Sequence, residues 1–116
     1  MEARDLMIGD WVQVPVEFNR YKKIMSTYDI DDAPLYKPIS LTPEILKKNG
    51  LEKAKYFKSM YWSYNTDEHV KVDVSSDGDN FIEVRGEKGQ YNGYCKFIHD
   101  FQHALRLCGI EKEIIL

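Results

Sequence analysis

The residues with the greatest chemical potential lie near the end of the chain, in His99-Asp100-Phe101-Gln102-His103. Two histidines four apart share a helix face and can chelate zinc, and the spacing imitates the zinc-protease pattern. Asp100 stands where that pattern has a glutamate base, one methylene too short. A catalytic zinc also needs a third protein ligand and an open position. The remaining histidine, His69, falls on the outer side of an expected strand. At about 100° per residue, His99 and His103 project away from the stripe of Phe97, Phe101, Leu105 and Cys108, so both imidazoles are expected to face water. The same geometry keeps Cys95, His99, His103 and Cys108 from closing a tetrahedron, because Cys108 belongs to the apolar stripe. Cys95 near His99 is a nucleophile–base pair by residue type only, with no third group to orient it.

Other motifs lose their chemistry on the same terms. Asp73, Asp77 and Asp79 around Gly78 lack the loop length and closing glutamate of a calcium site and read as a hairpin turn. Gly86, Gly89 and Gly93 lie between strands rather than at a helix start, with no Gly-Lys-Ser/Thr, so they form no phosphate cradle. Two cysteines, Cys95 and Cys108, do not make a disulfide scaffold and read as reduced, half-buried thiols. No catalytic residue, metal or cofactor is expected.

The segment Lys47–Tyr64 is more informative. It carries Lys47, Lys48, Lys53, Lys55 and Lys58 against Glu52 alone, interleaved with Tyr56, Phe57, Met60, Tyr61, Trp62 and Tyr64. In one long strand, Tyr56, Met60, Trp62 and Tyr64 share a face and Phe57 and Tyr61 the other. Lys55, Lys58, Tyr61 and Trp62 are the candidate binding residues. Exposed aromatics among lysines anchor protein partners or a second copy of the chain, and they also stack the bases of single-stranded nucleic acid. The burial of both aromatic faces, by the last helix and by an N-terminal strand, is the competing reading. A net charge of −3 does not favour nucleic acid, since phosphate binding draws on a basic excess.

The elements that would position these residues are legible from periodicity. At 116 residues the chain suits one domain, with residues 1–40 an N-terminal hairpin region and 41–116 the remainder. Val12, Val14 and Val16 alternate as in a strand, which Pro15 confines to an edge or ends. Tyr21–Ile30 reads as a second strand. Thr42-Pro43-Glu44-Ile45-Leu46-Lys47-Lys48-Asn49-Gly50 reads as a short capped helix, with Gly50 at its left-handed end. Lys55–Tyr64, Val70–Val74, Phe81–Arg85 and Gln90–Lys96 follow as strands joined by tight turns. Phe97–Leu107 is an amphipathic helix that Gly109 ends, and Ile110–Leu116 is a short strand or docked tail. The fold class is α+β: an antiparallel meander of four or more strands, a C-terminal helix packed on one face, an N-terminal hairpin and a short helix.

Three stretches resemble a family of small proteins from gut Bacteroidales genomes and their phages and mobile elements, a family with no established activity. They are Ala3-Arg4-Asp5-Leu6-Met7-Ile8-Gly9-Asp10-Trp11-Val12, Pro38-Ile39-Ser40-Leu41-Thr42-Pro43-Glu44-Ile45-Leu46-Lys47-Lys48-Asn49-Gly50 and Phe97-Ile98-His99-Asp100-Phe101-Gln102-His103-Ala104-Leu105-Arg106-Leu107-Cys108-Gly109-Ile110. Together they are similar to the family's "DLRIGN-V" opening, "PIPLT-E-L-K-GF" middle and "YVHQLQNL" closing helix. This chain departs by ending the middle motif in Gly-Leu and opening the last helix with Phe-Ile-His. The resemblance implies an accessory protein of a mobile element.

The acidic start without an apolar leader, and the lack of any run near the roughly 20 apolar residues of a membrane span, lead to an expected cytoplasmic location with no membrane partner. The leading expectation is a non-enzymatic protein-interaction module. A single-stranded nucleic-acid binder comes second and a metal-dependent hydrolase third.

Overall fold

The computed structural model describes the chain except residues 16, 17, 19, 57, 58 and 64–68, and gives the backbone alone of 54–56 and 59–63. It is mixed α+β, with antiparallel sheets and a C-terminal helix. The residues group into two compact units, Met1–Ser40 with Phe97–His99, and Leu41–Lys96 with Asp100–Leu116.

In the first unit, β1 (Trp11–Val14) pairs antiparallel with β2 (Arg20–Lys23). Val12 and Val14 point into a core completed by Leu6, Ile24, Ala33 and Tyr36. Pro15 follows the last residue of β1, as its missing N–H requires; Val16, read as the third inward valine, lies outside the described residues. On its other side Gln13 exchanges two backbone bonds with Lys37, at 2.9 and 2.8 Å.

The second strand expected over Tyr21–Ile30 stops at Lys23, and α1 (Thr27–Asp31) takes its place. Ser26 caps this helix by accepting the Asp29 N–H, and the Asp29 carboxylate accepts the Met25 N–H at 2.9 Å. This reciprocal pattern satisfies amides that a helix start leaves open, and it outweighs the weak alternation of Ile24, Tyr28 and Ile30.

In the second unit, α2 (Pro43–Lys48) forms where its sequence places it. Thr42 accepts from Ile45 N, and Gly50 adopts φ +85°. The Leu51 N–H then bonds the Leu46 carbonyl at 3.0 Å, with both leucines buried. The sheet runs in the order β3 (Glu52–Tyr56), β4 (Ser59–Ser63), β5 (His69–Asp73), β6 (Asn80–Gly86) and β7 (Gly89–Cys95). The single strand expected over Lys55–Tyr64 is therefore two antiparallel strands, and the expected run of strands is not matched strand for strand. Tyr56 pairs with Ser59, which takes it out of the row that holds Met60 and Trp62.

Within this unit Val70, Val72, Ile82 and Val84 are all but fully buried. α3 (Ile98–Leu107), whose Ile98 and His99 group with the first unit, buries Ile98, Phe101, Ala104 and Leu105 along one stripe. Cys108 follows, its Sγ donating to the Val84 carbonyl at 3.5 Å, while its own carbonyl accepts the Lys88 N–H at 3.1 Å. Gly86 has no room for a side chain, since a Cβ there would overlap the Cys108 carbonyl. The segment after Gly109 is a docked tail: Ile110 and Ile114 are buried, and the Asn49 amide exchanges two bonds with the Ile115 backbone, at 2.8 and 2.6 Å.

Candidate functional site

The register of β5, β6 and β7 sorts their side chains into two faces, because directly opposed residues of antiparallel strands stand on the same side. One face holds the rows Val70, Val84, Tyr91 and Val72, Ile82, Gly93. The other carries a three-by-three array. Its rows are His69, Arg85, Gln90, then Lys71, Glu83, Asn92, then Asp73, Phe81, Tyr94.

Charges of both signs alternate across the array. His69 Nε2 lies 3.4 Å from Glu83 Oε2, and Lys71 stands directly opposite Glu83. At the far row Phe81 and Tyr94 form an edge-to-face pair, centroids 5.5 Å apart and planes at 77°. Tyr94 is 67 % exposed. An aromatic pair left in water on a polar sheet face is an anchor without a core role. A shallow open depression of about 300 Å³ lies among His69, Glu83, Arg85, Gln90 and Asn92. Beside it a larger open one, about 830 Å³, is rimmed by Arg85, Glu87, Lys88, Ile110 and Glu111. Its mixed charges define no single ionic ligand. In the first unit Phe18 is fully exposed at φ 60°, a backbone conformation unfavourable for a bulky residue.

The sequence-derived candidates stand elsewhere. Lys58 lies outside the described residues. The backbones of Lys55, Tyr61 and Trp62 are placed by register, opposite Met60, Ala54 and Lys53 respectively, with Trp62 also opposite Val72; their side chains lie outside the described residues. Aromatic density along the chain does not reveal this array. The signal available was the alternation of Phe81, Glu83 and Arg85 with Ile82 and Val84, carried onto Gln90, Asn92 and Tyr94 by the two-residue Glu87–Lys88 turn.

The histidine motif needs correction. His99 does not face solvent; it is 5 % exposed, as is Gln102, while His103 is half-buried. The cause is a neighbour that helical periodicity does not reveal. Residues Ile39 and Ser40 run along the start of α3, with a Ser40–Phe97 bridge and the Ile98 N–H bonded to the Ile39 carbonyl at 2.8 Å. Phe97 stacks on the His99 ring at 5.9 Å and 11°. The first turn is thus enclosed on more than the apolar stripe.

Among the described residues no group of three or more His, Cys, Asp or Glu side chains is arranged to hold a metal ion. Cys95 and Cys108 are free and buried. Burial raises the Cys108 thiol above its ordinary value, against a smaller opposing effect from the Tyr91 backbone, so it stays protonated and poorly nucleophilic at neutral pH. Asp77 is held below the ordinary carboxylate value, chiefly by the Asp79 N–H at 2.9 Å, the signature of a turn. No helix among the described residues is long and apolar enough to cross a membrane. Compared with models of known families, with curated proteins and with solved structures, the chain matches none.

Proposed function

We propose that this chain is a non-enzymatic protein-interaction module. It acts in the cytoplasm as an accessory protein of a phage or mobile element, the context its motif resemblance implies. The observation that carries the interaction reading is the water-exposed Phe81–Tyr94 pair at one end of the polar array on β5–β7. Tyrosine and phenylalanine supply contact area at low conformational cost, and flanking Gln90, Asn92 and Arg85 supply a polar rim. Behind the array, the buried rows of Val70, Val84 and Val72, Ile82 form the rigid backing that a contact surface needs.

The test is Tyr94→Asp, which alters the exposed face alone. Affinity capture from the native cell during element induction, with wild type and variant side by side, should lose its partner in the variant while the melting temperature is unchanged. Equal capture by both proteins would remove this surface from the reading.

A second reading, single-stranded nucleic-acid binding, draws on the same aromatic pair beside Lys71 and Arg85, together with the lysines of 47–58. It requires oligonucleotide binding that weakens steeply with salt and with Lys55→Glu or Lys58→Glu. Unchanged fluorescence anisotropy of a labelled oligonucleotide at low salt would discard it.

A further inference from the structure

The two edges of the larger sheet differ in a way that singles out one of them. β3, at one edge, reads Glu52-Lys53-Ala54-Lys55-Tyr56, with three charges in five residues. Charged residues are how natural proteins keep an edge from pairing. Self-pairing centred on Ala54 would align Lys53 with Lys55 of a second copy, and like charges directly opposite are destabilising. β7, at the other edge, reads Gly89-Gln90-Tyr91-Asn92-Gly93-Tyr94-Cys95, seven residues with no charge and no proline. Within the strand itself neither charge nor proline discourages pairing.

The free hydrogen-bonding groups of β7 can be assigned. The two-residue turn closes on Gly86 and Gly89, and antiparallel partners alternate between bonded and non-bonded pairs. Gly89, Tyr91, Gly93 and Cys95 therefore bond to β6. The N–H and C=O groups of Gln90, Asn92 and Tyr94 point away from it, and among the described residues no named strand lies on that side; just past β7 the Leu41 N–H meets the Lys96 carbonyl at 2.9 Å. Gln90 and Asn92 are exposed, as is Tyr94.

We propose that β7 pairs antiparallel with β7 of a second copy of this chain, about a twofold axis at Asn92, joining two sheets into one. This rests on the interaction reading above and names the partner for this edge. The alignment is self-complementary at every position. Asn92 meets Asn92 in a bonded pair, Gln90 meets Tyr94 in two more, and Tyr91 meets Gly93, where the absent side chain leaves room for the ring. Within Gln90–Tyr94 no like charges and no two bulky groups come together; Lys88 and Lys96, which flank β7, face each other only at its two ends. The Phe81–Tyr94 pair then continues across the seam on the exposed face.

The test combines sedimentation equilibrium of the full chain with amide hydrogen exchange. The wild type should dimerise reversibly, and the Gln90, Asn92 and Tyr94 amides should gain protection as concentration rises. Asn92→Pro deletes an outward N–H in each copy while sparing the β6 ladder. It should weaken the dimer roughly tenfold to a hundredfold with little change in melting. Asn92→Lys should also give monomers, with dimerisation partly restored by salt, which proline would not show. A monomer at all concentrations, or a dimer whose β7 amides exchange freely, overturns the pairing. So does protection of those amides only on adding cell lysate, which would assign the edge to a foreign strand. Asn92→Pro leaves Phe81 and Tyr94 in place, so a partner still captured by this variant supports the module reading whether or not β7 pairs, and the two fail separately.

Discussion

The two units use the same kind of polar clasp with opposite reach. In the first, three aspartates each accept a backbone N–H three or four residues earlier: Asp5 from Glu2 at 3.0 Å, Asp10 from Met7 at 2.8 Å, Asp29 from Met25 at 2.9 Å. In the second, two asparagines tie distant segments. Asn49 bonds Ile115 across 66 positions, and Asn80 bonds the Leu41 and Cys95 carbonyls while accepting the Ser75 N–H. A short segment with a small core gains most from clasps that shape its turns before packing begins, since loop closure is then least costly. A sheet with buried valine rows already has its core, and its clasps fix where remote chain segments attach. Carboxylates titrate and amides do not, so the two kinds of clasp should also differ in acid.

The largest effect should come from the second unit's core. Phe101, 1 % exposed, is expected to cost about 3–5 kcal/mol on replacement by alanine, read as a lowered urea midpoint with unchanged cooperativity. A loss below about 1 kcal/mol would mean that α3 does not anchor this unit. Next is Asn80→Ala. Asn80 is fully buried, and its removal takes one bond each from the Leu41 and Cys95 carbonyls and the acceptor of the Ser75 N–H, for roughly 2–4 kcal/mol. The loss should be the same at pH 4 and pH 7, and a marked pH dependence would contradict the amide-clasp account.

The sequence made legible whatever is decided locally. Thr42, Pro43 and Gly50 specify α2 without help from the rest of the chain, and the alternation from Val70 to Val74 marks β5. It misled where two local signals competed or where a distant segment intervened. Over Tyr21–Ile30 the Ser26-to-Asp29 spacing was a helix start that alternation concealed. The start of α3, where His99 is buried, is bonded to Ile39 and bridged to Ser40, some 60 positions away, which no helical projection contains. The array on β5–β7 needs the register of three strands before its nine residues form one surface. Their types, scattered over 69–94, carry no motif. The candidate binding residues Lys55, Lys58, Tyr61 and Trp62 rested on one long strand, where the structure has two, Glu52–Tyr56 and Ser59–Ser63.

Smaller effects separate the units' termini and turns. Thr42→Ala removes the cap of α2 and should cost about 1 kcal/mol, with Thr42→Ser restoring most of it. A null result would mean that packing of Leu46 alone holds this helix.

The finest distinction is the acid response of the first unit. Asp29 is held below its ordinary value of 3.8, first by the Met25 N–H and then by Lys22, whose Nζ lies 3.1 Å from Oδ1. Lys22 is correspondingly raised above 10.5 by that bond. For a depressed carboxylate, the stabilising contribution is complete above the unfolded value and disappears as pH falls through the lower folded value. For the raised lysine the contribution is complete below 10.5 and lost only as pH rises beyond it. Between about pH 5 and 9 both are therefore constant. Below pH 4 the carboxylate protonates, and the start of α1 loses the anion that its N-terminal amides and Lys22 both favour. Amide chemical shifts of Met25, Ser26 and Asp29 should move together between pH 4 and 2, while those of Ala104 and Leu105, on the buried stripe of α3, stay still. Asp29→Asn keeps an acceptor for the Met25 N–H but removes the charge, so it should weaken α1 slightly at pH 7 and abolish the acid transition there. Parallel pH curves for variant and wild type would show that the clasp acts by shape alone and that the two units do not differ in this respect.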